Sequence, residues 1–410
     1  MEKQILREGQ NCWRIARSSR VKFLIDGAAY FSVLAEALER ARESILIVGW
    51  DFDGRIRLRP EEKIPAPVSS KDLGTFLHTL VARRPKLQVH ILVWDFAMIY
   101  ALEREPASFS NPSWRTHSRI HFRRDGDHPI GASHHEKIVV IDDAIAFAGG
   151  LDLAKGRWDT PEHPPEDPRR GGVDGPSLPP HHDVQIAVDG EAAAALGNLA
   201  RERWFHTTGQ RLQAPMSGYD AWPASLTADL TDVDVAIART VPAHKELPEI
   251  REIEALYRDA ISAAQRFIYM ENPYLTSAAV GEALANRLRE ADGPEIILVI
   301  SRKSGGWLEE TTMDVLRSRL LRRLRDADRF HRLRVYCPLI DGLETGCISV
   351  HSKVLVVDDK LVRVGSGNLN NRSMGLDTEC DLAIEANGNV QIRHGIARFR
   401  NRLIAEHLGV

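Results

Sequence analysis

Residues His351–Asn370 read H-S-K-V-L-V-V-D-D-K-L-V-R-V-G-S-G-N-L-N, and residues His135–Asp152 read H-E-K-I-V-V-I-D-D-A-I-A-F-A-G-G-L-D. In both stretches Lys follows His by two places, Asp by seven and Gly by fourteen. Four specified positions in one order, occurring twice, point to an internal duplication. The runs Ile138–Ile141 and Val354–Val357 are apolar and bounded by turn residues, which predicts buried strands. A period of two places the His and Lys of each copy on one face. Asp142–Asp143 and Asp358–Asp359 predict turns, and a second apolar run leads to Gly149 and Gly365, so each copy predicts a β-hairpin. Two His, two Lys and Asn368 beside a Gly-Ser backbone suit a phosphoryl group. Lys supplies charge, Asn and backbone N–H supply donors, and His supplies nucleophile and acid.

Outward from the two motifs, the order of elements also repeats. Strands are expected at 21–25, 44–50, 87–94 and 120–123, with helices at 28–42 and 73–83. The second half has strands at 233–238, 267–271, 295–300 and 333–337, with helices at 252–264, 278–290 and 312–325. Each half closes with a strand (183–188; 379–384) and a helix (191–205; 390–407), with Gly209 or Gly409 as the C-cap. Alternating strands and helices give an α/β sheet. The division is a first half over 1–210, a linker over 211–232 and a second half over 233–410. Trp50 and Trp94 end strands next to Asp51 and Asp95. Core packing accounts for them, and a site-lining role stays open because α/β sites lie at carboxyl ends of strands. One region breaks the symmetry. Residues 156–182, rich in Pro, Gly, Arg and His, form a long insertion in the first half, expected as a partly mobile flap beside the site.

Composition narrows the function class. The formal net charge is −3 and hydrophobic residues make up 43% of the 410. No global basic footprint favours nucleic acid. The four Cys show no C-x-x-C spacing, which fits a reducing compartment. The polar start and the lack of an apolar run of about 20 residues predict a cytoplasmic protein with at most peripheral membrane contact.

The motif pair is similar to that of the phospholipase D superfamily, His-x-Lys-x4-Asp-x6-Gly-Ser-x-Asn. The second copy matches at His351, Lys353, Asp358, Gly365, Ser366 and Asn368; the first has Gly150 and Asp152 in place of Ser and Asn. The Gly-Gly-x-Asp variant, followed by G-R-W-D at 156–159, resembles lipid-hydrolysing phospholipases D of the eukaryotic type. The resemblance implies a duplicated α/β fold: two mixed β-sheets flanked by helices, related by a pseudo-twofold axis, with one site at the seam. It implies His135, Lys137, Asp142, His351, Lys353 and Asp358 as catalytic residues, and Asn368, Ser366, Gly150 and Asp152 as phosphate-binding.

A nucleophilic imidazole needs its second nitrogen held by a carboxylate. Asp183 and Glu379 head equivalent strands and are the candidates for orienting the two His. Glu379, in a D-T-E run like the family's, lies close behind the second motif and is expected to support His351 as general acid, with His135 as nucleophile. His134, His163, His181 and His182 show no metal-ligand spacing, so no metal and no cofactor are expected. The Arg-rich stretch 316–325 is read as a solvated helix face before a lipid contact. The expected activity is hydrolysis of a phospholipid at a membrane surface to phosphatidic acid through a covalent phosphohistidine, with transfer to alcohols. A cardiolipin synthase-like transferase and a nuclease of the same superfamily are the alternatives.

Overall fold

The computed structural model describes residues 4–60, 72–95, 113–171, 178–216, 218–302, 307–343 and 347–410 (of 113–114 and 307–312, the backbone only). The elements of the first half are β1 (Arg14–Ile25), α1 (Asp26–Arg40), β2 (Ser44–Gly49), α2 (Leu73–Arg83), β3 (Gln88–Trp94), β4 (Ile120–Asp125), β5 (Ile138–Ile141), β6 (Ile145–Gly149), α3 (Pro168–Gly171), β7 (His181–His182), β8 (Val184–Asp189) and α4 (Gly190–Thr208). The second half has β9 (Leu230–Val241), β10 (Ile250–Arg251), α5 (Glu252–Ala263), β11 (Phe267–Asn272), α6 (Ala278–Arg289), β12 (Glu295–Ile300), α7 (Trp307–Ala327), β13 (Leu333–Tyr336), β14 (Ser349–Val350), β15 (Val354–Val357), β16 (Leu361–Gly365), β17 (Glu379–Glu385) and α8 (Val390–Leu408).

The duplication is visible in the strand order. From one edge to the middle the order is β4-β3-β2-β5-β6-β8-β1, and from the other edge it is β13-β12-β11-β15-β16-β17-β9. The three outer strands of each half run parallel, and every pairing inward of them is antiparallel. The expected mixed α/β architecture is present, and its two sheets run into one another. The long strands β1 and β9 pair antiparallel from Arg14↔Ile237 to Val21↔Leu230, joining the halves at the pseudo-twofold axis. Both joining strands are longer than their apolar cores suggest. Their outer residues include polar ones such as Arg14, Arg17 and Arg20, which are held extended because each strand lends the other its ladder.

The core follows the same plan. One apolar cluster belongs to the first half with α1 and α2, and one to the second with α5, α6 and α7. The third lies between the halves and takes Ile138, Val140, Ile186, Val354, Val356 and Leu382 together with α4 and α8. Phe23 of β1 stacks on Phe399 of α8, with ring centroids 4.1 Å apart. Each such buried side chain contributes about 1.5–3 kcal/mol, so the seam is an apolar interface and the polar site sits at its rim. Gly209 and Gly409 cap α4 and α8 in the left-handed region, as their positions predict. The linker is docked: Ala221 and Trp222 are buried in the first half's core. Among the described residues no helix is long and apolar enough to cross a membrane.

Candidate active site

Each motif is a hairpin, β5–β6 and β15–β16. At its tip, Asp142–Asp143 and Asp358–Asp359 all have φ between 52° and 54°. Two successive left-handed residues are what a two-residue hairpin turn matching strand twist demands, and Asp tolerates them. This tip also corrects an expectation. Asp142 accepts from the backbone N–H groups of Arg42, Glu43 and Ser44, and from the Tyr219 hydroxyl. Asp358 accepts from the N–H groups of Gln265, Arg266 and Phe267. Both are buried. A four-residue strand, about 13 Å long at about 3.3 Å per residue, separates each from the motif Lys. Asp142 and Asp358 therefore clamp the hairpin tip to the start of β2 or β11. They are structural, not catalytic.

At the other end of the hairpins the halves meet. The His351 N–H donates to the His182 carbonyl (2.8 Å), next to a short parallel ladder of β7 on β14. The His135 N–H donates to the Thr378 carbonyl (2.9 Å). The residue after each of these carbonyls is a carboxylate, and it belongs to the half opposite the His it serves. His135 Nδ1 lies 2.9 Å from Glu379 Oε2, and His351 Nδ1 lies 2.6 Å from Asp183 Oδ2. The expectation that Glu379 supports His351 is therefore wrong in its pairing. Proximity in sequence put Glu379 with its own half's motif, while the antiparallel β1–β9 joint brings it to the other.

Two more expected phosphate ligands turn out to serve these carboxylates. Ser366 Oγ donates to Glu379 Oε2. Gly150 supplies room, since a Cβ there would stand 2.1 Å from Asp183 Oδ1. Asp152 is a third correction. Its Oδ1 accepts from the N–H groups of Trp50 (2.9 Å) and Asp51 (3.2 Å), and its Oδ2 lies 3.2 Å from Lys137 Nζ. A carboxylate so placed repels a phosphate oxyanion and holds the lysine instead. Asn368 is buried, and the Nδ2–H donors of its side chain are the group a phosphate oxygen needs.

The cations and imidazoles share one buried environment. Lys137 Nζ donates to the His135 carbonyl (2.8 Å), and Lys353 Nζ lies 3.0 Å from His351 Nδ1. Burial lowers the Lys353 ammonium to about 7, with Asp183 opposing the shift. Burial raises Glu379 to about 8, against the Ser366 hydrogen bond. Burial, then Lys137 and Lys353, hold the His135 imidazolium well below its usual range. At His351 burial and Lys353 act the same way, and Asp183 offsets them. His135 and His351 side chains remain 15% and 21% exposed, so both rings can be reached from solvent while Lys137 and Lys353 stay buried.

Other side chains complete the site. Trp50 lines it, its ring 6.4 Å from His135 and 6.0 Å from Lys137 Nζ, while Trp94 stacks behind Trp50 in the core. His181 faces His351 with ring centroids 5.2 Å apart, and its signal in the sequence is the H-H-D run at the start of a predicted strand. His134 bridges Thr378 and Asp125. The expected flap is largely a packed loop: Trp158, Asp159, His163, Arg170, His181 and His182 are buried, and residues 172–177 lie outside the described residues. His163 and His182 show no ligand spacing along the chain, and in the fold Asp26 and Glu406 come near them from distant segments.

Residues 37–287 match the family model described as Phospholipase D, and residues 257–401 match one described as Cardiolipin synthase, PLD-like domain. Phospholipase D A of Dictyostelium discoideum is 27% identical, aligned over 95% of this chain and 36% of its own. Phospholipase D2 of Bos taurus is 23% identical over 88% of this chain and 49% of its own. The chain thus spans between about a third and a half of these relatives. Among solved structures, phosphatidylserine synthase of Haemophilus influenzae superposes with a TM-score of 0.65 at 14% identity, over 95% of this chain and 88% of that one. The polyphosphate kinase of Porphyromonas gingivalis reaches 0.50 at 10% identity, over 94% and 47%.

Proposed function

The chain belongs to the phospholipase D family, and from that premise we propose that it is a phosphodiesterase that opens phospholipid head-group esters through a covalent phosphohistidine. The observation that carries this is the crossed pair of imidazole–carboxylate contacts, His135 with Glu379 and His351 with Asp183. In support, one His from each motif contacts a carboxylate of the other half, and the buried Lys137 and Lys353 lie beside them. Holding Nδ1 fixes each tautomer and leaves Nε2 for the substrate. Two imidazoles at one seam suit a two-step displacement, in which one attacks phosphorus and the other protonates the departing alcohol, then deprotonates water. Lys137, Lys353 and Asn368 stabilise the equatorial oxygens as charge develops.

His135 is the nucleophile and His351 the acid in this reading. The support is the shorter contact of His351 to Asp183, which favours imidazolium, against a Glu379 that divides its Oε2 between His135 and Ser366. The displacement itself uses no divalent cation, since the two lysines supply the positive charge. The substrate is taken from a membrane surface by peripheral contact, and nucleic acid is disfavoured by the acidic balance.

The test supplies phosphatidylcholine vesicles with added ethanol, and plasmid DNA in a parallel assay. Phosphatidic acid and phosphatidylethanol, in a ratio that follows ethanol concentration, is the expected result. Phospholipid turnover with phosphatidic acid alone at high ethanol removes the solvent-open intermediate. Nicked DNA with inert lipid makes the protein a nuclease, and a lipid acceptor required in place of water makes it a cardiolipin synthase-like transferase.

A further inference from the structure

A second constellation lies behind His351, on the far side of β7. Asp26 opens α1, His163 sits in the long loop after β6, His182 is the second residue of β7, and Glu406 is in the last turn of α8. One ligand atom from each lies within 4.8 Å of every other. His182 Nδ1 is 2.5 Å from Glu406 Oε1 and 3.1 Å from Asp26 Oδ1; His163 Nε2 is 3.2 Å from Glu406 Oε1 and 3.6 Å from Asp26 Oδ2. Asp26 and His182 are 0% exposed and His163 1%.

Short as these approaches are, neither Asp26 Oδ2 nor His182 Nδ1 forms a hydrogen bond. Their approaches are short, but their geometry is not that of a hydrogen bond. Unpaired polar atoms at this depth are costly, so a centre that binds them all is stabilising. Three of these separations, 3.1–3.6 Å, lie near the edges of a tetrahedral ion site, and the His182–Glu406 approach of 2.5 Å is shorter and would open on binding. With bonds of about 2.0–2.1 Å, the edges of the tetrahedron are about 3.3–3.4 Å.

The outer contacts point the same way. A metal-bound imidazole characteristically donates its other nitrogen to a carboxylate. His163 Nδ1 lies 3.0 Å from Asp159 Oδ2, and His182 Nε2 lies 2.9 Å from Glu271 Oε2. Those carboxylates are themselves anchored, Asp159 by Arg170 and Glu271 by Ser352, Tyr269 and His407. Two neutral imidazoles and two carboxylates make a charge-balanced, closed set for a divalent ion.

We propose that Asp26, His163, His182 and Glu406 bind one structural Zn²⁺ per chain. The ion ties together the long loop, the start of α1, β7 and the C-terminal helix. It lies one residue from the carboxylate that orients His351, and the His182 carbonyl receives the His351 N–H. With all four positions filled by protein it has no open site for substrate, so it takes no part in the displacement.

The test uses the full chain, purified without chelator from zinc-supplemented cells, with metal content measured directly. About one zinc per chain is expected, with an X-ray absorption shell of N and O donors at about 2.0–2.1 Å, two imidazoles and no sulfur. His163→Ala and Glu406→Gln, with folding checked by circular dichroism, lose stoichiometric zinc, and Asp159→Asn weakens its affinity about 10–100-fold. Wild-type protein without zinc that also fails to take it up, a sulfur-containing shell, or full retention by both ligand variants overturns the assignment. If the variants do not fold, the wild-type stoichiometry and absorption shell decide it.

Discussion

His135 and Glu379 are 244 residues apart in the chain, yet His135 Nδ1 and Glu379 Oε2 are 2.9 Å apart across the seam. The mirror contact joins His351 to Asp183. Each half thus orients the imidazole of the other, so neither half carries a complete dyad.

The crossing separates two variants that sequence alone treats as equivalent. Asp183→Asn weakens support for the general acid, so its loss of kcat, about 10²–10⁴-fold, shrinks on substrates whose leaving group needs no proton. Glu379→Gln acts on the nucleophile, and its loss persists on those substrates. A leaving-group series run on both variants checks this; the opposite dependence exchanges the roles of His135 and His351.

Phosphoenzyme trapping gives the direct assignment. Wild-type protein quenched in turnover carries the phosphoryl adduct on His135 by mass spectrometry. His351→Ala still forms it with an activated leaving group, and His135→Ala does not. An adduct on His351 keeps the chemistry and reverses the assignment.

Asp142→Ala and Asp358→Ala damage stability, not chemistry. Each removes an acceptor of three backbone N–H groups and costs about 2–4 kcal/mol. Denaturant unfolding reads the loss. Turnover per folded molecule, titrated by active-site trapping, stays at the wild-type level; a loss of catalysis at full folding contradicts the clamp.

Lys353 sets an alkaline limb. Its folded value near 7 lies below that of the free side chain, so the ammonium loses its proton as pH rises through about 7. The kcat/KM profile falls there, because charge that stabilises the phosphoryl oxygens disappears. Lys353→Arg, which stays charged, moves the limb upward. The stability effect has the opposite sense: between about 7 and the ordinary lysine value of 10.5 the unfolded chain holds the extra proton, so this group makes stability rise with pH. Glu379, raised from 4.5 to about 8, keeps a proton when folded that it releases when unfolded, so its contribution falls across that window. An unshifted limb in Lys353→Arg assigns it to another group.

The sequence by itself determined whatever depends on near neighbours. A spacing of two fixed His and Lys in one short segment, paired Asp at a hairpin tip fixed a left-handed turn, and the doubled order of apolar runs fixed a duplicated α/β fold. Those features arise from backbone periodicity and turn sterics, which act over a few residues. The tertiary structure decided who meets whom. It gave Glu379 to His135 and Asp183 to His351, turned Asp142 and Asp358 into strand clamps, and set Asp152 on Lys137. It also gathered Asp26, His163, His182 and Glu406 from four separate segments. Such contacts are made across the β1–β9 joint and between the packed halves, where side-chain neighbours are set by long-range register and burial, and spacing along the chain carries no record of them.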